Sequence, residues 1–231
     1  MLPILLSSQK AALAATWVIV AADYYSIFEL RVIWPKGVSN PKPAKVAHFR
    51  VKDYEDIEAC KNAFEAKALK LNQQGYNVYT VMNPIRPDFA GPGAATDADI
   101  RYRDLLLIDI DRVGDTSCPA NQAELDAAKV LALEIRDYLT DRDWPDPILV
   151  MSGNGYHLYY ILEGVPNNSD SASLVRQFLK NLASRFDNGL VGVDTSVYNA
   201  SRITKVPGTI ARKGMEAVDR PYRMAEVCDE S

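Results

Sequence analysis

The chain has 231 residues, 48% of them hydrophobic and 24% charged, with a net charge of −4; that size accommodates one large domain or two small lobes sharing a cleft, and the net charge gives no prior for a nucleic-acid binder. Its three cysteines, Cys60, Cys118 and Cys228, lie far apart with no C-x-x-C pair, which fits a reducing compartment and excludes a zinc site of ordinary spacing. With only His48 and His157, chemistry that needs a histidine cluster is excluded too.

Met1–Leu6 is apolar but follows no basic residue, and the uncharged run Ala11–Ala22 is too short to span a bilayer. Leu13, Trp17, Val20 and Tyr24 share a helical face, which predicts a packed N-terminal helix in a cytoplasmic protein with no membrane contact. Residues 26–34 read as a strand stopped by Pro35 and Gly37, and 44–51 as a second one. Asp53 is placed to cap a helix running to about Asn72, with Ile57, Phe64, Ala68 and Leu71 inward; Gly75 ends it. A strand over 76–82 follows, then a Pro/Gly/Ala-rich loop, 86–99, of the length that functional loops have.

Leu105-Leu106-Leu107-Ile108 then runs into Asp109-Ile110-Asp111. A continuous apolar run of this kind reads as a buried strand. Side chains alternate along a strand, so Asp109 and Asp111 point one way and Ile108 and Ile110 the other. Two neighbouring carboxylates repel, and a divalent cation relieves the repulsion; a strand end reaching solvent is the alternative.

Further along, 121–140 is an amphipathic helix (Ala127, Leu131, Ile135, Tyr138), 147–151 a strand, Ser152-Gly153-Asn154-Gly155 a tight turn and 156–162 the returning strand. Ser169 or Asp170 is placed to cap a helix in which Leu174, Phe178, Leu182 and Phe186 recur every four residues. A short apolar segment ends at Asp194, and 203–206 is a further strand. From Asp104 the order is therefore β-α-β-β-α-β, the split, ferredoxin-like arrangement, which serves both RNA-recognition modules and polymerase palms and does not by itself choose a function.

In that arrangement the first and third strands are central neighbours, so Asp109 and Asp111 face His157. The Gly-rich turn can offer backbone N–H groups to phosphate oxygens, through Ser152, Gly153 and Asn154, and His157 adds a donor. Asp194 supplies a third carboxylate; two divalent ions about 4 Å apart need a set of that size. Arg202 and Lys205 can grip a triphosphate. They belong to a basic segment, 201–223, with six basic and two acidic residues; it is +4 within a chain of −4, against −8 for the remainder. Each element has a plainer reading as well: a hairpin turn, a core histidine, a helix or turn cap.

Leu-Leu-Leu-Ile-Asp-Ile-Asp, then Ser-Gly-Asn-Gly-Tyr-His, then Val193-Asp194 resemble the three motifs of the archaeo-eukaryotic primase superfamily, most nearly its plasmid, phage and CRISPR-associated primase-polymerases. The resemblance covers about residues 79–223. It implies an α+β fold, with an RRM-like (ferredoxin-like βαββαβ) catalytic palm over 101–231 packed with an N-terminal α/β lobe over 1–100. It implies Asp109, Asp111 and Asp194 on two Mg²⁺ or Mn²⁺ ions, and Ser152 and His157 on the incoming nucleotide, with Arg202 and Lys205 matching the basic residues after the third motif. The implied activity is DNA primase or polymerase chemistry on a single-stranded DNA template with NTPs or dNTPs. A helicase or priming domain is implied as a partner outside this chain, which carries no zinc module and no helical priming domain after residue 223. The basic C-terminal segment and Arg101/Arg103 are expected to follow the template.

One alternative is a non-catalytic RRM-fold module that binds single-stranded nucleic acid by stacking bases on Tyr156 or Tyr159; it leaves the two aspartates unexplained. A sugar-nucleotide transferase would use the Asp-x-Asp but has no need of the Ser-Gly-x-Gly-x-His turn.

Overall fold

The computed structural model describes residues 9, 12–115 and 117–228; the apolar start Met1–Leu6 lies outside them. In chain order the strands are β1 (Ile27–Ile33), β2 (Lys45–Arg50), β3 (Asn77–Val81), β4 (Tyr102–Arg112), β5 (Ile148–Met151), β6 (Tyr156–Pro166), β7 (Val191–Val193), β8 (Ile203–Lys205), β9 (Ile210–Ala211), β10 (Arg223–Met224) and β11 (Glu226–Val227). The helices are α1 (Thr16–Ile19), α2 (Ile57–Gln73), α3 (Gln122–Thr140) and α4 (Ser169–Phe186). The strands form two antiparallel sheets, ordered β2-β1-β3-β8 and β11-β5-β6-β4-β7, and a β9-β10 ribbon. No described helix is long and apolar enough to cross a membrane.

Helix α2 covers the four-stranded sheet. Phe64, Ala68 and Leu71 of its inner face are buried with Phe28, Leu30 and Val32 of β1, and Trp17, Phe28, Phe49 and Phe64 meet in tilted or edge-on pairs at 4.8–6.4 Å. Helices α3 and α4 cover the five-stranded sheet. There the order β4-α3-β5-β6-α4-β7 appears as expected, with β4 and β6 as central neighbours between β5 and β7. Strand β8 is the exception to a division of the chain at residue 100: it returns to pair with β3 and completes the first sheet.

Four local readings are corrected. Asp56, not Asp53, caps α2, accepting from the Ala59 N–H at 2.7 Å; Asp53 ends a 3₁₀ turn. Asn168 caps α4 by a reciprocal box with Ser171, displacing Ser169 and Asp170. Leu174 is 71% exposed, because a four-residue repeat drifts about 40° per step on a helix of 3.6 residues per turn; the packed face is Val175, Phe178, Leu179, Leu182 and Phe186. At the N-terminus α1 stops at Ile19 and Val20 is extended, so the helical period never reaches Tyr24, which is 61% exposed.

Buried asparagines tie the sheets and the returning chain together. Asn72 and Asn77 each bond both the N–H and the carbonyl of a residue in the 210–212 segment, Ile210 and Arg212 respectively. Asn83 donates to the Ala200 carbonyl at 2.9 Å and accepts from the N–H groups of Asp104 and Leu105 at 2.8 and 3.0 Å. Asn83→Ala strands three main-chain groups where no water replaces the amide. We expect a loss of about 3 kcal/mol, read as a shift of the urea-unfolding midpoint.

Candidate active site

The odd-numbered residues of β4 build the floor of a cleft of about 320 Å³ between the two sheets, where Leu107, Asp109 and Asp111 lie side by side. This is the strand alternation acting as expected, with Ile108 and Ile110 buried on the helix-covered side. His157 stands directly opposite Asp109 in the β4–β6 register, and its Nε2 is 3.3 Å from Asp109 Oδ1. That carboxylate oxygen is buried and has no partner with hydrogen-bond geometry.

The turn between β5 and β6 closes one end. Ser152 N–H donates to the Gly155 carbonyl at 2.9 Å, and Asn154 Oδ1 accepts from the Ala120 N–H at 2.9 Å, which pins the turn to the entry of α3. Gly153 has φ +102° and its Cα faces Ala211. Gly155 sits against β4 so closely that a Cβ would come within 2.7 Å of Asp111 Oδ1 and nearer still to the Ile110 carbonyl. The glycine thus serves a close approach as well as a turn.

The opposing wall is cationic. Lys36, Lys205, Arg212 and Lys213 line the same cleft as the two aspartates, with Asn77, Tyr79 and Thr204 between them. Lys205 is paired with Tyr79 across β3–β8; its Nζ is within 3.3 Å of Asn77 Oδ1 and of the Ile210 carbonyl and lies 5.2 Å from the centre of the Tyr79 ring.

Charge state follows from this crowding. Burial, and then the Asp109 charge, push the Asp111 carboxyl up to about 6; Lys213 and His157 pull the other way. Burial alone would lower His157, but the Asp109 and Asp111 carboxylates outweigh it and hold the imidazole above its ordinary value. Tyr79 is pushed up to about 12 by burial and by both aspartates. Lys205 is pushed down to about 7 by burial and by Arg212.

A lysine pushed down to about 7 is a sensitive reporter. The unfolded chain binds more protons than the folded one between pH 7 and the ordinary lysine value, so the destabilisation caused by Lys205 is greatest below pH 7 and fades as pH rises through that interval. Lys205→Met should therefore raise the thermal midpoint, more at pH 7 than at pH 10; melting curves at both pH values check this.

Of the residues singled out in the sequence, Asp109, Asp111, Ser152, Asn154, His157 and Lys205 converge on the cleft, whereas Gly153, Asp194 and Arg202 lie off its lining. Asp194 is adjacent: its N–H donates to the Asp109 carbonyl at 2.8 Å, its charge reaches Asp111, and its Oδ1 accepts from the Ser196 N–H at 2.8 Å. Among the described residues no three His, Cys, Asp or Glu side chains are gathered as a metal-holding set. Arg202 turns back to the Ser196 carbonyl. It stands three residues before Lys205, a spacing that shares a helix face but opposes on a strand.

Two further expectations are corrected. Arg103 is 3% exposed and bonds Ser171 Oγ and the Tyr198 carbonyl, so it has no free face for a template. Tyr156 and Tyr159 are 8% and 0% exposed, so neither offers a stacking platform. Lys36, Asn77, Tyr79 and Thr204 had no sequence signal; Arg212 and Lys213 had one, as members of the basic segment.

No protein-family model matches the chain, and no curated protein matches it. Solved structures do. The primase-polymerase (AEP) domain of cyanophage S-2L aligns with a TM-score of 0.55 over 96% of this chain and 90% of that one, at 16% identity. The polymerase domain of Mycobacterium tuberculosis ligase D, solved in complex with DNA, aligns with a TM-score of 0.51 over 93% and 79%, at 18% identity. The class that the likeness defines is one of fold: this chain has the fold of the archaeo-eukaryotic primase-polymerase domain.

Proposed function

We propose that the chain is a template-directed nucleotidyltransferase, a DNA primase or polymerase whose RRM-like palm is the β4–β7 portion of the five-stranded sheet. The observation that carries this reading is the pair Asp109 and Asp111 on one strand face, opposite Lys36, Lys205, Arg212 and Lys213 in one cleft. Two carboxylates beside an array of cations suit a nucleoside triphosphate that enters with its metal.

The acidic pair fits divalent cations. Asp109 Oδ1 is buried without a hydrogen bond, and Asp111 is pushed up to about 6 in a site that otherwise leaves two carboxylates to repel each other. In this reading Asp109 and Asp111, with Asp194 beside them, hold two Mg²⁺ or Mn²⁺ ions. Such ions, when bound, activate the attacking 3′-hydroxyl and stabilise the departing pyrophosphate. The chain's own groups do the rest. Lys205, Arg212, Lys213 and Lys36 neutralise the triphosphate, and His157 Nε2 directs a donor at its oxygens, with Ser152 and Asn154 of the turn lining the same cleft. Arg202, facing the 196–202 turn, supports that segment and does not grip phosphate.

The fold likeness to a primase-polymerase domain and to a ligase polymerase domain favours this chemistry over a binding module, and the burial of Tyr156 and Tyr159 removes the stacking surface such a module would use. The test is primer extension on single-stranded DNA with Mg²⁺ or Mn²⁺, offering NTPs and dNTPs separately. Metal-dependent, template-complementary extension supports the proposal. Metal-independent single-strand binding with no extension by the chain, alone or with a helicase or priming partner, overturns it.

A further inference from the structure

The His157 imidazole is held from behind by groups that belong to both sheets. Its Nδ1 is 2.8 Å from the Tyr159 hydroxyl, and that hydroxyl is hydrogen-bonded in turn to Thr204 Oγ1. His157, Tyr159 and Thr204 are 6%, 0% and 3% exposed. Tyr159 lies two residues beyond His157 on the same face of β6, with the rings edge-on at 5.7 Å; Thr204 comes from β8 of the four-stranded sheet. A phenol this deep costs stability unless it is partnered, and phenylalanine would fill the same volume. The hydroxyl therefore has work that packing does not explain.

We propose that Tyr159 and Thr204 are positioning residues for His157. By occupying Nδ1, they make Nε2 the atom turned to the cleft beside Asp109, and they reference the ring to both sheets at once. An imidazole bound at one nitrogen has its second nitrogen, and hence its donor direction, decided for it. A ring flip would remove Nδ1 from the Tyr159 hydroxyl and leave buried polar groups unpaired. Because Thr204 precedes Lys205, the same short strand sets both the imidazole and the cleft lysine.

The kinetic consequence rests on the proposed function; the orientation does not, so two readouts separate the two ideas. The first is long-range ¹H–¹⁵N spectroscopy of the full chain labelled at histidine, with the two imidazoles assigned by His48→Gln. Tyr159→Phe and Thr204→Val should each move the His157 Nδ1 resonance and bring the two ring nitrogens toward the averaged pattern of a mobile ring, whereas Thr204→Ser, which keeps the hydroxyl, should retain the wild-type pattern. The second readout is nucleotide KM in extension, expected to rise about tenfold in Tyr159→Phe, equivalent to one hydrogen bond of about 1.4 kcal/mol.

The double variant Tyr159→Phe/Thr204→Val removes both hydroxyls, leaving neither unpaired. Its unfolding midpoint should recover relative to Tyr159→Phe while KM stays raised; recovery of both together would reduce the contact to a structural one and overturn the proposal. An unchanged Nδ1 resonance in Tyr159→Phe also overturns it. If the wild-type chain extends no primer, alone or with a helicase or priming partner, the proposed function fails, and the spectra alone decide the orientation.

Discussion

Asp109→Ala is expected to lower metal-dependent primer extension by about a thousandfold or more, and Asp111→Ala by a similar factor, with the fold intact. The magnitude follows from the several kcal/mol that metal coordination contributes to phosphoryl-transfer transition states, at 1.36 kcal/mol per factor of ten. The fold should survive because neither side chain is needed to hold β4 in place: the strand is secured by its ladders to β6 and β7 and by Ile108 and Ile110 on the far face.

A readout independent of activity accompanies this. The Asp111 carboxyl is raised in the folded chain, by burial and by Asp109. The stability linked to it is thus fully present below the ordinary aspartate value near 4 and is lost as pH rises through about 6. Asp111→Asn should melt like the wild type in strong acid and several degrees higher above pH 6. Mn²⁺ should raise the wild-type midpoint at pH 7.5, since a ligand that binds only the folded state stabilises it, and should leave Asp109→Ala nearly unmoved. If Asp109→Ala still extends primers, Asp109 is not a metal ligand.

Gly155→Ala carries the second large effect, and it acts through the backbone. The new methyl group would meet the Ile110 carbonyl and, at 2.7 Å, Asp111 Oδ1. The carbonyl belongs to an inner strand of the larger sheet and cannot swing aside like a side chain, so either the turn lifts or β4 bends. Overpacking of this kind costs about 3 kcal/mol. It also displaces Asp111 from Asp109 and His157, so extension should fall by at least about a hundredfold, as misplacement of reacting groups by about an ångström does. Gly93→Ala is the control: no atom lies within 4 Å of its added methyl, and both stability and activity should stay at wild-type levels. Equal unfolding midpoints for the two variants would show that the turn is not pressed against β4.

The two expected losses differ in kind. Removing a carboxylate takes chemistry out of a site whose scaffold stays; adding a methyl leaves every functional group present and separates them. Measured together, chemical activity and unfolding midpoint tell these apart: Asp109→Ala should lose the first alone, Gly155→Ala both.

What the chain's order of residues determined by itself was local or nearly so. Strand alternation put Asp109 and Asp111 on one face because the period of two is intrinsic to an extended backbone. The hairpin 147–162, with its Gly-rich turn, and the β-α-β-β-α-β order were legible from short-range patterns, and that order made β4 and β6 neighbours, which set His157 against Asp109.

Tertiary structure decided what depends on contacts distant along the chain. The return of β8 to β3 brought Lys205 and Thr204 to the cleft and left Arg202 outside it, a distinction that three-residue spacing misreads once the segment is extended rather than helical. Asn77, reaching Arg212 135 residues away, holds Arg212 at the cleft of the acidic pair, with Lys213 beside it; nothing in the identity of one asparagine names its partner. Arg103 and Tyr159 look from their chemistry like surface groups for nucleic acid, and are buried by partners distant in sequence, Arg103 against Ser171 and Tyr198 and Tyr159 against Thr204. Which polar groups meet across the seam between two sheets is a property of the assembled packing, and no local period encodes it.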